Sequence, residues 1–329
     1  MQRRALKGLI VLLVFIFIAA LLTGCGKPET RGTSPQKVKI GYSRLIISLP
    51  VFVAEERGIF RENGLDVELE GFDTAQPLMD ALLAGQLDVA GYTAFPITFN
   101  GQVRSKKQLY YLTALVEDDK HPISMLMVKK DSPVSGINDL RGRRIGILPT
   151  VAYKAWLNMI LQENGISPDE VVIQTLAPAL TASSLDSGAV DAVFSNDPAV
   201  TTTLQKGIGR LLYQGAIVPK YLWSPLPFGS FNVSKEFADK DPDMVERIAK
   251  SLDEAIEFID ANPREAKKMM AGFVSDTEKP FVENYSDPRY LKTGEVSPGE
   301  LSRLVEAYQK QNIIKGNLDL TNMLYKYPQ

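Results

Sequence analysis

Three landmarks return along the chain at a nearly fixed distance. The segment around Gly41, KIGYS, reappears around Gly146 as RIGIL. REN before Gly64 returns as QEN before Gly165, and LLAGQLDVA around Gly85 as LDSGAVDAV around Gly188. The paired glycines stand 105, 101 and 103 residues apart. Ordinary strand–helix–strand units share some of this punctuation, but a near-constant offset over three landmarks predicts two lobes of one architecture.

Each copy alternates apolar strands with helical segments. Lys37–Pro96 reads as strands near Val38–Tyr42, Leu65–Leu69 and Leu87–Ala90, with helices near Ser48–Gly58 and Ala75–Gly85. The second copy reads as strands at Arg144–Leu148, Val171–Leu176 and Ala189–Phe194, with helices at Val151–Leu161 and Leu180–Leu185. This is the pattern of an α/β protein with mixed, mostly parallel sheets. Two apolar runs around the polar EDDKHP, and an extended segment marked by Pro219, Pro225 and Pro227, suggest strands near Val116–His121 and Trp223–Phe231 forming a two-stranded hinge. Lobe one then spans 37–118 and 226–329, and lobe two 119–225. Beyond the hinge, Val245, Ile248, Leu252, Ile256 and Ile259 make one helical stripe, and Ser297 with Glu300 begins another helix; these helices should cover lobe one.

The N-terminus predicts export. Arg3, Arg4 and Lys7 precede the apolar run Leu9–Leu22, which is short for a membrane span and reads as a signal peptide over 1–24. Residues 25–36, rich in Gly, Pro, Ser and Thr, read as a flexible tether. The mature chain would hold 305 residues, more than one core usually serves. With one cysteine there is no intrachain disulfide to expect. The formal charge of −2 becomes −5 without the three basic residues of the signal, which offers nucleic-acid phosphates nothing to condense on.

Ligands of such sheets sit at the carboxyl ends of the strands. In lobe one this selects Tyr42, Ser43, Arg44, Thr93 and Phe95; in lobe two, Thr150, Tyr153, Asn196 and Asp197. Helix starts after Ser48 and Thr150 offer backbone N–H donors to an anion. Arg44 could fork onto a carboxylate or sulfonate, or simply be solvated. Tyr42 and Phe95 could wall a ring or an aliphatic group, or belong to the core. Asp197 could meet an amine or ring N–H, orient Arg44 or Lys120, or cap the helix that Pro198 opens. His121 is the sole histidine, so a histidine-based metal site or triad has almost no material. P-loop, GxGxxG, HExxH, paired CxxC and GxSxG motifs are all absent. No cofactor, metal or catalytic residue is expected.

The run Pro50–Phe60, with Gly64–Glu68, Ala81–Ala90, Asp139–Gly146 and Asp191–Ala192, resembles the periplasmic solute-binding proteins of the nitrate, sulfonate, taurine and thiamine-pyrimidine ABC importers. The likeness covers roughly Lys37–Ala271. Leu22–Cys25 is similar to a lipoprotein signal whose cysteine, here Cys25, carries the lipid. The resemblance implies a type II periplasmic-binding-protein, or Venus-flytrap, fold with ligand contacts in the loops holding Ser43, Thr93, Thr150 and Asp197. Many members carry a Trp-Glu-Pro-like segment where this chain has Asn196–Asp197–Pro198. It further implies a monomer tethered through Cys25 outside the cytoplasm, delivering a small solute to a permease and its ATPase. An organic anion such as a sulfonate is the first expectation, and a thiamine-precursor pyrimidine or other aromatic heterocycle the second. An enzyme on the same fold, or a ligand-free signalling or scaffold protein, are readings from other classes.

Overall fold

The computed structural model describes residues 36–328 apart from residue 319. The predicted signal peptide, all but the last residue of the tether, and Cys25 lie outside the described residues. In chain order the main elements begin with β1 (Gln36–Ser43), α1 (Leu49–Glu56), β2 (Leu65–Phe72), α2 (Ala75–Leu83), β3 (Val89–Ala94), α3 (Phe95–Ser105) and β4 (Leu109–Glu117). Next come β5 (Met125–Lys129), β6 (Arg144–Ile147), α4 (Val151–Glu163), β7 (Val172–Thr175), β8 (Ala192–Ser195), α5 (Ala199–Gln205) and β9 (Gly209–Leu211). The chain then runs through β10 (Leu226–Ser234), α6 (Pro242–Ala261), β11 (Arg289–Leu291) and α7 (Pro298–Lys310).

Two sheets result, one per lobe, with orders β11-β4-β10-β3-β1-β2 and β7-β6-β8-β5-β9. The repeat read from the sequence has a physical counterpart in each. Asp88 accepts from the Lys39 backbone N–H at 2.8 Å, and Asp191 accepts from that of Arg144 at 2.9 Å. A Cβ on Gly41 would lie 2.4 Å from the Leu87 side chain, and one on Gly146 2.4 Å from that of Leu176. Both strands are therefore pinned at the same place by an apolar side chain lying across a bare backbone. Gly85 and Gly188 take matching left-handed turns at φ 76° and 72°.

The expectation of mostly parallel sheets needs correction. Each lobe pairs three strands in parallel, β2-β1-β3 and β7-β6-β8, but the rest run antiparallel. The reason is the double crossing between lobes. β10 returns from lobe two and inserts between β3 and β4, opposed to both, while β5 enters lobe two against β8 and β9. β4 and β10 pair up to Glu117 opposite Leu226, so the hinge is the frayed end of a sheet. Pro219 does not exclude helix as expected, because it sits early in the short helix Ile217–Tyr221, where the missing N–H would have no intrahelical partner.

The helix α6 buries Val245, Ile248, Leu252, Ile256 and Ile259 against α1, capped by the Asp241 side chain at 3.1 Å from Met244 N. Ser297 caps α7. The latter reaches both lobes: Tyr308 accepts from Trp156 Nε1 at 3.2 Å, and the Arg303 guanidinium lies 4.1 Å above the Trp223 ring. One hydrophobic core runs continuously from lobe one across this seam, and a smaller cluster around Met127, Leu185 and Val193 fills the other face of the lobe-two sheet.

Candidate functional site

The carboxyl ends of β1, β3, β6 and β8 meet at the seam. The backbone N–H of Ile46, in the loop after β1, donates to the Asp197 carbonyl at 3.1 Å in the loop after β8. The same residue bridges the lobes again through its side chain. Asp197 Oδ1 accepts from Thr201 N at 2.8 Å within α5, and Oδ2 from Ser286 N at 2.7 Å in lobe one. Both carboxylate oxygens are thus engaged, one as the helix cap and one as a latch. Burial pushes the Asp197 carboxyl above the usual range, against the pull of these bonds.

The lobe-one side is built from hydroxyls and helix starts. Ser43 and Ser48 face each other at 3.2 Å between their Oγ atoms, both fully buried. Thr93 pairs with Thr98 at 2.6 Å and accepts from Asn232 Nδ2 at 3.0 Å. Neither α1 nor α3 has a side-chain cap at its N-terminus, and each carries proline in its first turn. At α1 the leading Ser48 and Leu49 N–H groups already donate to the Leu45 and Ile46 carbonyls, whereas the start of α3 is left without a side-chain acceptor, the arrangement that takes an anion.

Across the seam, Thr150 caps α4 by accepting from Tyr153 N at 3.2 Å. Tyr153 itself tilts against Phe194, ring centroids 4.7 Å apart. Its hydroxyl, Ser195 Oγ and Asn196 Oδ1 are buried without a hydrogen-bond partner. Buried polar atoms are normally paired, so three orphans from adjoining strand and helix ends mark a place shaped for polar ligand atoms. Burial holds the Tyr153 phenol well above its ordinary pKa, so it stays protonated.

Other sequence-selected residues lie elsewhere. The Tyr42 ring sits edge-on to Phe52 and Phe273, at 5.2 and 5.6 Å. Phe95 stacks on Phe99 at 5.0 Å within the lobe-one core. Arg44 is half exposed and its Nη1 binds Asp73 Oδ1 at 3.1 Å. Sequence reasoning did not select Ser195, Ser286, Asn232 or Glu117. Ser195 directly precedes Asn196 at a strand end and was within reach of that logic; Ser286 carries no local sign, since it meets Asp197 across 89 residues.

Among the described residues no group of three or more His, Cys, Asp or Glu side chains could hold a metal ion. The model of the NMT1-like family matches residues 31–275. A putative aliphatic sulfonates-binding protein of Bacillus subtilis (strain 168) is 27% identical over 284 residues, covering 84% of this chain and 81% of the relative. The taurine-binding periplasmic protein of Escherichia coli (strain K12) is 28% identical over 217 residues, covering 65% of this chain and 64% of the relative. Among solved structures, the alkanesulfonate-binding protein SsuA from Xanthomonas axonopodis pv. citri bound to MOPS superposes with a TM-score of 0.69 at 18% identity, covering 86% of this chain and 96% of that one. The chain belongs to the NMT1-like family and is a solute-binding protein of the nitrate, sulfonate and taurine ABC-importer group, a non-enzymatic receptor for a small polar or anionic ligand held between two lobes.

Proposed function

We propose that this protein captures a small organic anion of the sulfonate type and presents it to an ABC permease and its ATPase. The observation that carries this reading is the set of orphaned Tyr153, Ser195 and Asn196 atoms, together with the start of α3, which has no side-chain cap. Backbone dipoles and hydroxyls would hold the anion without a guanidinium. Ligand binding then favours the closed form through contacts that only the closed form offers. Ser43, Thr93, Thr150, Tyr153 and Asn196 remain in this site, joined by Ser48 and Ser195. A monomer tethered through a lipid on Cys25 fits the exported location typical of the family. The ligands for which the relatives are named, aliphatic sulfonates and taurine, support the same class.

A second reading is favoured by Asn196 Oδ1, an acceptor that suits a ring N–H or an amine, as in a pyrimidine or other aromatic heterocycle. Thermal shift of the purified chain against sulfonates, nitrate, taurine, pyrimidines and aromatic carboxylates separates the two, because a ligand specific to the native state raises the melting point. A shift with heterocycles and none with any sulfonate would reject the first reading. Ser195→Ala should weaken binding of the active compound roughly tenfold while leaving the unliganded melting point unchanged or slightly higher, since the change removes an unpaired buried hydroxyl. Arg44→Ala should alter affinity less than about twofold, as expected for an outward ion pair. A tenfold loss on that substitution would place Arg44 on the ligand.

A further inference from the structure

Glu117 is fully buried at the end of β4, where the chain leaves lobe one. It holds the crossing together. Its carboxylate accepts from Ile123 N at 3.2 Å, Ser124 N at 2.8 Å and Ser124 Oγ at 2.8–2.9 Å. Ser124 in turn takes Val218 N on its hydroxyl at 3.2 Å and Ile217 N on its carbonyl at 2.9 Å. One carboxyl therefore brackets the outgoing segment, and through Ser124 the returning one.

No basic side chain is bonded to it among the described residues. The titratable groups that act on Glu117, or feel its charge, are Asp118 beside it, Tyr153 from α4 in lobe two and Tyr308 from α7 in lobe one. Asp118 is bonded to His121, Nδ1 to Oδ1 at 3.0 Å. Tyr308 is bonded to Trp156 across the seam, so the phenols that feel the charge of Glu117 belong to opposite lobes.

We propose that Glu117 is a proton-linked bracket of the hinge, taking up a proton when the lobes close over it and releasing one when they part. Parting the lobes at the Tyr308–Trp156 contact would wet the carboxyl and favour its charged form; closing dries it and favours the neutral form. Burial pushes the closed-form carboxyl up to about 7. A group that holds its proton more tightly in the closed form draws the molecule closed as pH falls and loosens it as pH rises through that value. An anion in the adjacent seam acts in the same direction. The proposal rests on the two-lobed receptor reading and gives that site a dependence on pH.

Small-angle scattering of the ligand-free full chain, at about pH 5.5 and about pH 8.5, brackets the value of about 7. The wild type should be more compact at the acid end, the closed-to-open ratio changing by up to about tenfold per pH unit. Glu117→Gln, a neutral isostere, should remain compact at both. His121→Gln should keep the wild-type response. A response that persists in Glu117→Gln, vanishes in His121→Gln, or is missing from the wild type overturns the proposal. Infrared spectroscopy of the wild type is independent of whether the Gln variant folds: a protonated-carboxyl band must fade across the same interval, and its absence is equally fatal. Adding ethanesulfonate tests the ligand class separately. No thermal shift at either pH would remove the sulfonate reading, while the ligand-free titration still decides Glu117.

Discussion

Asp197→Ala is expected to destabilise the closed protein by roughly 3 kcal/mol, because it strands two buried backbone donors that would each cost about 1–3 kcal/mol unpaired. The donors are Thr201 N at 2.8 Å and Ser286 N at 2.7 Å, one within lobe two and one across the seam. Partial relief comes from deleting a carboxyl whose burial is unfavourable, as its raised pKa shows. Asp197→Asn is the informative partner. Its single amide oxygen can serve one of the two N–H groups, and its NH2 must oppose the other, so it should fall between wild type and Ala. Denaturant midpoints give the stability order, and scattering gives the closure. If both variants match the wild type in midpoint and compactness, the latch has no role.

Gly229→Ala should cost roughly 3 kcal/mol or more, on the order of 5–10 °C in melting temperature. An added Cβ would stand 2.3 Å from the Thr93 carbonyl oxygen and 2.8 Å from its carbonyl carbon. These are backbone atoms of the neighbouring strand, with no flexible side chain to swing aside. β10 would have to lift from β3 where Asn232 Nδ2 reaches Thr93 Oγ1 at 3.0 Å, so ligand affinity should fall as well. Gly136→Ala is the control: nothing lies within 4 Å of its added Cβ, and it should melt with the wild type. Equal melting of both variants would show that β10 and β3 tolerate separation at that point.

The parts of the molecule that were legible in the sequence are those governed by neighbours in the chain. The paired glycines 41 and 146 mark equivalent points near strand ends, and the aspartates 88 and 191 equivalent strand starts, because strand geometry imposes the same local demands twice. Thr150 and Ser297 announce helix starts for the same reason. Strand direction was less legible, since β10 is antiparallel only through where the return crossing happens to insert it. Burial of charge was the hardest. Glu117 opens the acidic run EDDKHP and looks solvated, yet the β4–β10 pairing and the Ser124 turn enclose it. Arg44 looks available, but Asp73, after β2, turns it outward, and that neighbour comes from the parallel pairing of β1 with β2.

The end of the segment after α7 is moored to lobe one: Tyr111 N donates to Met323 O at 2.7 Å, and Tyr325 N to Tyr111 O at 3.0 Å, beside the part of β4 that β11 leaves unpaired. A fluorophore attached near Lys326 would therefore ride with lobe one, while its mate at the exposed turn of Gly188 would ride with lobe two. That pair of attachment points makes the receptor a ready chassis for an optical sensor of its own cargo.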